Sequence, residues 1–241
     1  MMPFMEVQNV SKRYSNGDGI EGLSFSIEAG EVVALLGPNG AGKTTTIRCL
    51  TGLYQPDQGE ILIEGFPPGH SHVQKQVALI PDQPYLYPDL TVAEHVQFRA
   101  RGYHKGLKQI KEKVFEALKE VHIEMKMNEL CGRLSRGQKQ RVVLAGAIVQ
   151  DASLFILDEP TVGLDIPSKQ WLSDWLIQKS LQGGSVLVST HSLEFVLDTA
   201  SRVILIRDGA IMKSIAVPKR QEEQMKWRAE VIQLLGEWSS E

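Results

Sequence analysis

The stretch Gly37-Pro-Asn-Gly-Ala-Gly-Lys43-Thr44-Thr45 constrains this chain more than any other. It follows the apolar, β-branched run Glu31 to Leu36 and leads into Thr46 to Leu50, which reads as the start of a helix. Strand, glycine-rich turn and helix, in that order, are the setting that a phosphate-binding P-loop requires. Gly37, Gly40 and Gly42 let the backbone curl, through Asn39 and Ala41, so that successive N–H groups face an anion. The positive end of the following helix strengthens that field. Lys43 can reach the β- and γ-phosphates, the Thr44 hydroxyl can ligate Mg²⁺, and Thr45 continues the loop into the helix. The expected ligand is a nucleoside triphosphate.

Length and charge narrow the setting. A chain of 241 residues has room for one α/β domain with a smaller subdomain. A net charge of −3 without a long basic run offers nucleic acid no electrostatic footprint, so no nucleic-acid partner is expected. Cys49 and Cys131 lie far apart without metal-type spacing and read as small buried residues in a reducing compartment. The opening Met-Met-Pro-Phe-Met-Glu-Val lacks the plan of a signal peptide, and the apolar run Val142 to Val149 is far too short to span a bilayer. A soluble, cytoplasmic protein is expected.

Along the chain, residues 4–36 look rich in β-structure: a short strand from Phe4 to Val10, another ended by Tyr14, a turn at Asn16-Gly-Asp-Gly19, and an alternating strand from Ile20 to Ile27. Glu60 to Glu64 and Val77 to Ile80 read as further strands. From about residue 85 the pattern turns helical. Thr91 to Tyr103, with Thr91 as N-cap, and Leu107 to Val121 carry helical periodicity, and Ile110, Val114, Ala117, Leu118 and Val121 share one face. A third helix is expected from Ser135 through Val149. The α/β pattern then resumes, with strands at Leu154 to Leu157 and Val186 to Val188 around a helix near Ser168 to Leu181. Arg202 to Ile206 and Ala210 to Ile215 form a hairpin through Asp208-Gly209. Beyond Pro218, the residues Trp227, Val231, Leu234, Leu235 and Trp238 form one helical stripe that should dock on the chain's own core. The pattern predicts an α/β fold: a P-loop NTPase core with a mainly parallel sheet, an N-terminal antiparallel β subdomain and an inserted helical subdomain. The expected boundaries are 1–84 and 151–217 for the core, 85–150 for the helical insert and 218–241 for the C-terminal helix.

The strand Leu154 to Leu157 ends in Asp158-Glu159-Pro160. In a P-loop protein an acid there holds the Mg²⁺ that bridges the phosphates, a role Asp158 fits, and Glu159 is placed to polarise the attacking water. At this point the chain resembles the ATP-binding subunits of ABC transporters, over roughly residues 4–215. Leu134-Ser-Arg-Gly-Gln138 is similar to that family's signature sequence, Thr161-Val-Gly-Leu-Asp165 to its D-loop, and Ser189-Thr-His191-Ser to its switch-histidine segment. Tyr14 stands where the family stacks an aromatic ring on adenine.

The resemblance implies ATP and Mg²⁺ as cofactors and a homodimer or heterodimer with a second ATP-binding subunit. Ser135, Gly137, Gln138 and Asp165 would complete the partner's site, and His191 would hold the γ-phosphate. It also implies an integral membrane permease as partner, and thus a location on the inner face of the cell membrane. The segment Tyr85 to Val92 resembles that of members serving exporters. Two positions depart from the family. Arg136 replaces a glycine of the signature, which is tolerable where the side chain points away from phosphate. Asp82, with Gln83 beside it, stands where a metal-sensing glutamine is expected, and either can reach a metal. A soluble ABC-type ATPase acting on ribosomes or DNA is the alternative, and a regulatory ATP binder that does not hydrolyse is a third.

Overall fold

The computed structural model describes residues 3–103 and 110–236. Its centre is a six-stranded sheet in the order β5-β6-β7-β3-β8-β9, where β3 is Val32–Leu36, β5 Val77–Ile80, β6 Leu154–Asp158, β7 Ser185–Thr190, β8 Arg202–Arg207 and β9 Ala210–Ala216. All neighbours are parallel except β8 and β9, the hairpin expected at Asp208-Gly209. β3, β6 and β7 are buried along their whole length, which explains their unbroken apolar runs.

Strand alternation divides the core in two. Val32, Ala34 and Leu36 of β3 join Phe155, Leu157, Val186, Val188, Val203 and Leu205 on one face. Val33 and Leu35 join Leu154, Ile156, Leu187, Ile204 and Ile206 on the other. The second face is covered by α1 (Lys43–Leu50) and by a three-stranded antiparallel sheet, β2-β1-β4, built from β1 (Met5–Arg13), β2 (Gly19–Ile27) and β4 (Gln58–Ile63). The first face carries the helices: α3 (Val92–Tyr103), α4 (Ile110–Glu120), α5 (Arg136–Val149), α6 (Ile166–Leu181), α7 (Leu193–Thr199) and α8 (Gln221–Leu235). Glu31, just before β3, takes a two-pronged ion pair from Arg202 of β8, Nε to Oε1 at 2.7 Å and Nη2 to Oε2 at 2.8 Å. That pair fixes the edge from which the P-loop strand departs.

Several expectations are met in detail. The stripe at Val114, Ala117, Leu118 and Val121 is buried, with Ile110 packed beside it. Thr91 caps α3: its hydroxyl accepts from the Glu94 N–H, and the Glu94 carboxylate accepts from the Thr91 N–H. Leu107 and Trp238 lie outside the described residues. Other expectations need correction. The strand to Val10 and the one ending at Tyr14 are a single strand, β1, with a register shift between Val7 and Val10 where Asn9 takes φ 50°. A bulge breaks the period-2 alternation, so one strand reads as two. α1 begins at Lys43 rather than Thr46, because Gly42, at φ 101°, is its N-cap. Two helices, α2 (Ser71–Gln76) and α7, are too short to show a period.

The C-terminal stripe docks on the core as expected. Trp227, Val231 and Leu235 are buried, and the Trp227 Nε1–H donates to the Ala216 carbonyl at 3.0 Å. Removing the indole leaves a cavity and an unpaired carbonyl, so Trp227→Ala should lower unfolding stability by about 3 kcal/mol or more in urea titration. A neutral result would mean that α8 contributes nothing to the core.

Candidate nucleotide site

The P-loop leaves β3 with its first glycine pressed against the neighbouring strand. A Cβ on Gly37 would stand 2.2 Å from the Ile206 carbonyl oxygen, so no other residue fits without moving β8. Gly42 carries the left-handed φ that turns the loop into α1, and a Cβ there would stand 2.7 Å from Ile20 Cγ2.

The Lys43 side chain curls back into its own loop. Its ammonium donates to the Gly37 carbonyl at 2.7 Å and the Pro38 carbonyl at 3.1 Å, and it faces Glu159 Oε1 at 3.0 Å. The lysine is 6% exposed and the glutamate 14%, so this ion pair is largely shielded from water. A cavity of about 420 Å³ opens over the loop, lined by Tyr14, Asn39, Gly40, Gly42, Lys43, Thr44, Thr45 and Glu159. The structure thus gathers most of the residues expected to bind nucleotide around one space. The Tyr14 hydroxyl lies 3.2 Å from that of Thr45, which places the phenol at the cavity rim beside the edge of Tyr54.

The acidic pair sits at the C-terminal end of β6, one strand away from β7, which itself pairs with β3. Asp158 is buried, and the Ser189 hydroxyl donates to its Oδ1 at 2.6 Å. The same hydroxyl accepts from the Glu159 N–H at 2.9 Å. Glu159 takes φ 44°, a left-handed conformation unusual for a non-glycine residue, and one such residue costs on the order of 1–3 kcal/mol. That conformation sends its side chain to Lys43 on one side and to His191 on the other, where Nδ1 lies 2.9 Å from Oε2. His191 also lines a separate hollow with Thr161, Gly163 and Ser192.

The remaining sequence-predicted residues stand apart from this cavity. Ser135 is the N-cap of α5, its hydroxyl accepting from the Gln138 N–H at 3.4 Å while the Gln138 side-chain oxygen accepts from the Ser135 N–H at 3.0 Å. Gly137 packs toward Leu164 and Ser168. Asp165 caps α6 through the Ser168 N–H at 3.0 Å. Hydrogen bonds from the Ser168 hydroxyl and N–H hold its carboxyl below the usual range. Neither Asp82 nor Gln83 lines the cavity. Asp82 is bound instead to Arg136, Nη2 to Oδ1 at 2.5 Å. Sequence reasoning gave no role to Ser189 or Gln140. Ser189 sits level with Asp158 in the sheet, and the Gln140 side chain donates to the Pro160 carbonyl at 2.8 Å, tying α5 to the segment after Glu159. The sequence carries no local signal for either contact, since both depend on how the segments meet in the fold.

A P-loop on an inner strand of a mostly parallel sheet, with paired acids at the end of the next strand but one, defines a P-loop nucleoside triphosphatase. The family model described as ABC transporter matches residues 20–162. The chain is 75% identical, over the full length of both, to "SkfA peptide export ATP-binding protein SkfE" of Bacillus subtilis (strain 168). Among solved structures it resembles cbiO1 of Clostridium perfringens, described as part of the ABC transporter complex cbiONQ, with TM-score 0.83, 27% identity and coverage of 97% of this chain and 96% of that one. It shares its fold with the ATP-binding cassette MJ0796, solved as a dimer bound to ADP and Pi, with TM-score 0.80, 24% identity and coverage of 89% and 99%. This protein belongs to the ABC transporter family, and it is an ATP-hydrolysing subunit.

Replacing Ser189 with alanine removes the hydroxyl that holds both Asp158 and the Glu159 N–H. Ser189→Ala should lower stability by about 1–3 kcal/mol in thermal or urea unfolding, and slow ATP turnover as well, because the strained Glu159 loses an anchor. Unchanged unfolding would show that the hydroxyl holds nothing in place.

Proposed function

We propose that this protein is the motor of an exporter, pairing head to tail with a second ATP-binding subunit across two ATP molecules and driving a separate membrane permease. The observation that carries the pairing is the separation of two phosphate-facing surfaces within one chain. Lys43, Thr44 and Glu159 line the cavity, while Ser135, Gly137, Gln138 and Asp165 do not. The capped N-terminus of α5 is a ready anion site without a nucleotide from its own chain, and a second subunit's γ-phosphate would suit it. The MJ0796 cassette, which shares the fold, is itself dimeric.

Within each site, Tyr14 stacks on the base while Lys43 and the loop amides from Gly37 to Thr45 hold phosphate. Thr44 and Asp158 would hold Mg²⁺. Among the described residues no cluster of three or more His, Cys, Asp or Glu side chains is built to hold a metal, which suits an ion that arrives with phosphate oxygens completing its shell. Bound there, the ion would supply positive charge to the phosphates. Glu159 has a second part to play before hydrolysis. Its carboxylate now offers Lys43 the negative charge that a phosphate would bring. An entering triphosphate displaces it, so ATP binding itself releases the general base, and His191 steers Oε2 toward the attacking water.

The division of labour follows the proposed boundaries, with 1–84 and 151–217 as the ATPase core, 85–150 as the transmitting block and 218–241 as a docked tail. An open groove of about 430 Å³ between Leu50, Leu53 and the helical block at Tyr85, Arg99 and Tyr103 suits a short permease helix. Tyr85 is 90% exposed and Leu53 62%, an apolar pair to be covered by a partner. Among the described residues no helix is long and apolar enough to cross a membrane, so the permease would be a separate chain holding this one at the cytoplasmic face. The name of the SkfE relative supports export, with a peptide as the cargo class.

Glu159→Gln tests the reading. Turnover should fall by about a hundredfold or more, and an ATP-dependent dimer should accumulate, seen by light scattering after size exclusion with ATP and Mg²⁺. Normal turnover in the variant would remove Glu159 as the base. A variant that stays monomeric at high concentration with saturating ATP would remove the homodimer and leave pairing with a different subunit.

A further inference from the structure

The two positions that depart from the family pattern meet in space. Arg136 and Asp82 are far apart in sequence, yet the Arg136 Nη2 donates to the Asp82 carboxylate at 2.5 Å and to the Asp82 main-chain carbonyl at 3.1 Å. One nitrogen therefore grips both the side chain and the backbone of the loop after β5. The rest of the arginine lies along the loop after β6. A Cβ on Gly163 would stand 3.1 Å from Arg136 Cδ and 3.4 Å from Nε and Nη1. A side chain at the first residue of α5 thus touches both loops that flank it.

We infer that Arg136 and Asp82 form one ionic latch that fixes the N-terminus of α5 against the loop after β5, and that Arg136 is a positioning residue for ATP hydrolysis. The helix dipole shows why the two side chains belong together. The first turn of α5 contains no acid, and a cation at that end opposes the positive pole of the helix. Asp82 brings the missing negative charge from another loop. Without it, the guanidinium would compete with Gly137 and Ser135 for the anion that the helix N-terminus is built to face. With it, the charge is held and the helix end stays available. Asp82 is then a partner of Arg136 rather than of a metal, and Gln83, whose side chain makes no hydrogen bond among the described residues, is the polar group left free beside it.

Magnitudes indicate where the effect appears. Arg136 is 39% exposed and Asp82 43%, so the pair adds little to global stability. Its effect is geometric: it limits how the capped end of α5, with Ser135 and Gly137, moves relative to the nucleotide core. This inference rests on the proposed role of the α5 N-terminus toward a second subunit's phosphate.

The experiment is a double-mutant cycle on ATPase rates of the whole protein: Asp82→Asn, Arg136→Gln, the two together, and the exchange Asp82→Arg with Arg136→Asp. Each single change should lower kcat by about fivefold, and the double change should be no slower than either single. The exchanged pair should recover at least about half of the wild-type rate, because it restores opposite charges and places an acid at the helix N-terminus. KM for ATP and the melting temperature should stay close to wild type throughout. Single variants as fast as wild type, effects that multiply, or an exchanged pair as slow as the product of the singles would each overturn the latch. Light scattering on Glu159→Gln separates the two ideas. A trapped dimer with multiplying effects leaves the pairing and removes the latch, whereas coupled effects without any dimer remove the homodimer alone and leave the latch.

Discussion

The Lys43 ammonium is the charge around which this site is arranged. It is nearly buried, and a buried cation is tolerable only when its donors are met. Two loop carbonyls accept its hydrogen bonds, and Glu159 Oε1, 3.0 Å away, balances the charge. The consequences run outward. Glu159 faces Lys43 from a left-handed backbone, and that backbone is held by the Ser189 hydroxyl and carbonyl through the Glu159 N–H. Ser189 is in place because β7 lies between β6 and β3, level with Asp158. The sheet order is thus a condition of the electrostatics. A different neighbour beside β6 would leave Glu159 strained and unsupported.

The arrangement also ties ligand binding to chemistry. The Glu159 carboxylate faces the Lys43 ammonium at 3.0 Å. On the mechanism proposed above, nucleotide entry would free Glu159, because a phosphate and the carboxylate would compete for the same ammonium. His191 is bonded to the other carboxylate oxygen, and this contact would keep Glu159 in place if Lys43 changed partners.

Much of this was legible in the residues. The P-loop, the acids ending β6, the caps at Thr91 and Ser135 and the buried strands carry their physics locally, in periodicity, glycine placement and short polar side chains. What stayed hidden was produced by contacts between segments. The bulge at Asn9 divides one strand into two apparent ones because the period-2 pattern slips there. α2 and α7 are too short to display a period. Ser189 and Gln140 act on residues brought close only by the sheet order and by the packing of α5. Asp82 and Arg136 each looked like an isolated departure, since nothing in the sequence says that the loop after β5 meets the start of α5.

Helix capping carries a second meaning here. Ser135, Gln138 and Asp165 are the residues that the family resemblance assigns to a second subunit's site, and each is already engaged in closing the start of its own helix. A cap holds the following N–H groups in a fixed direction, so the groups that stabilise α5 and α6 also keep these ends organised before any partner arrives. Substituting such a residue disturbs helix and interface together, and its effect on turnover alone cannot separate them. Gly137 differs, because it makes no cap and a Cβ there would meet Leu164 and Ser168 only at ordinary contact distances of 3.4 and 3.7 Å. Its own chain would accommodate a methyl group, so any penalty for adding one must arise from whatever approaches α5 from outside.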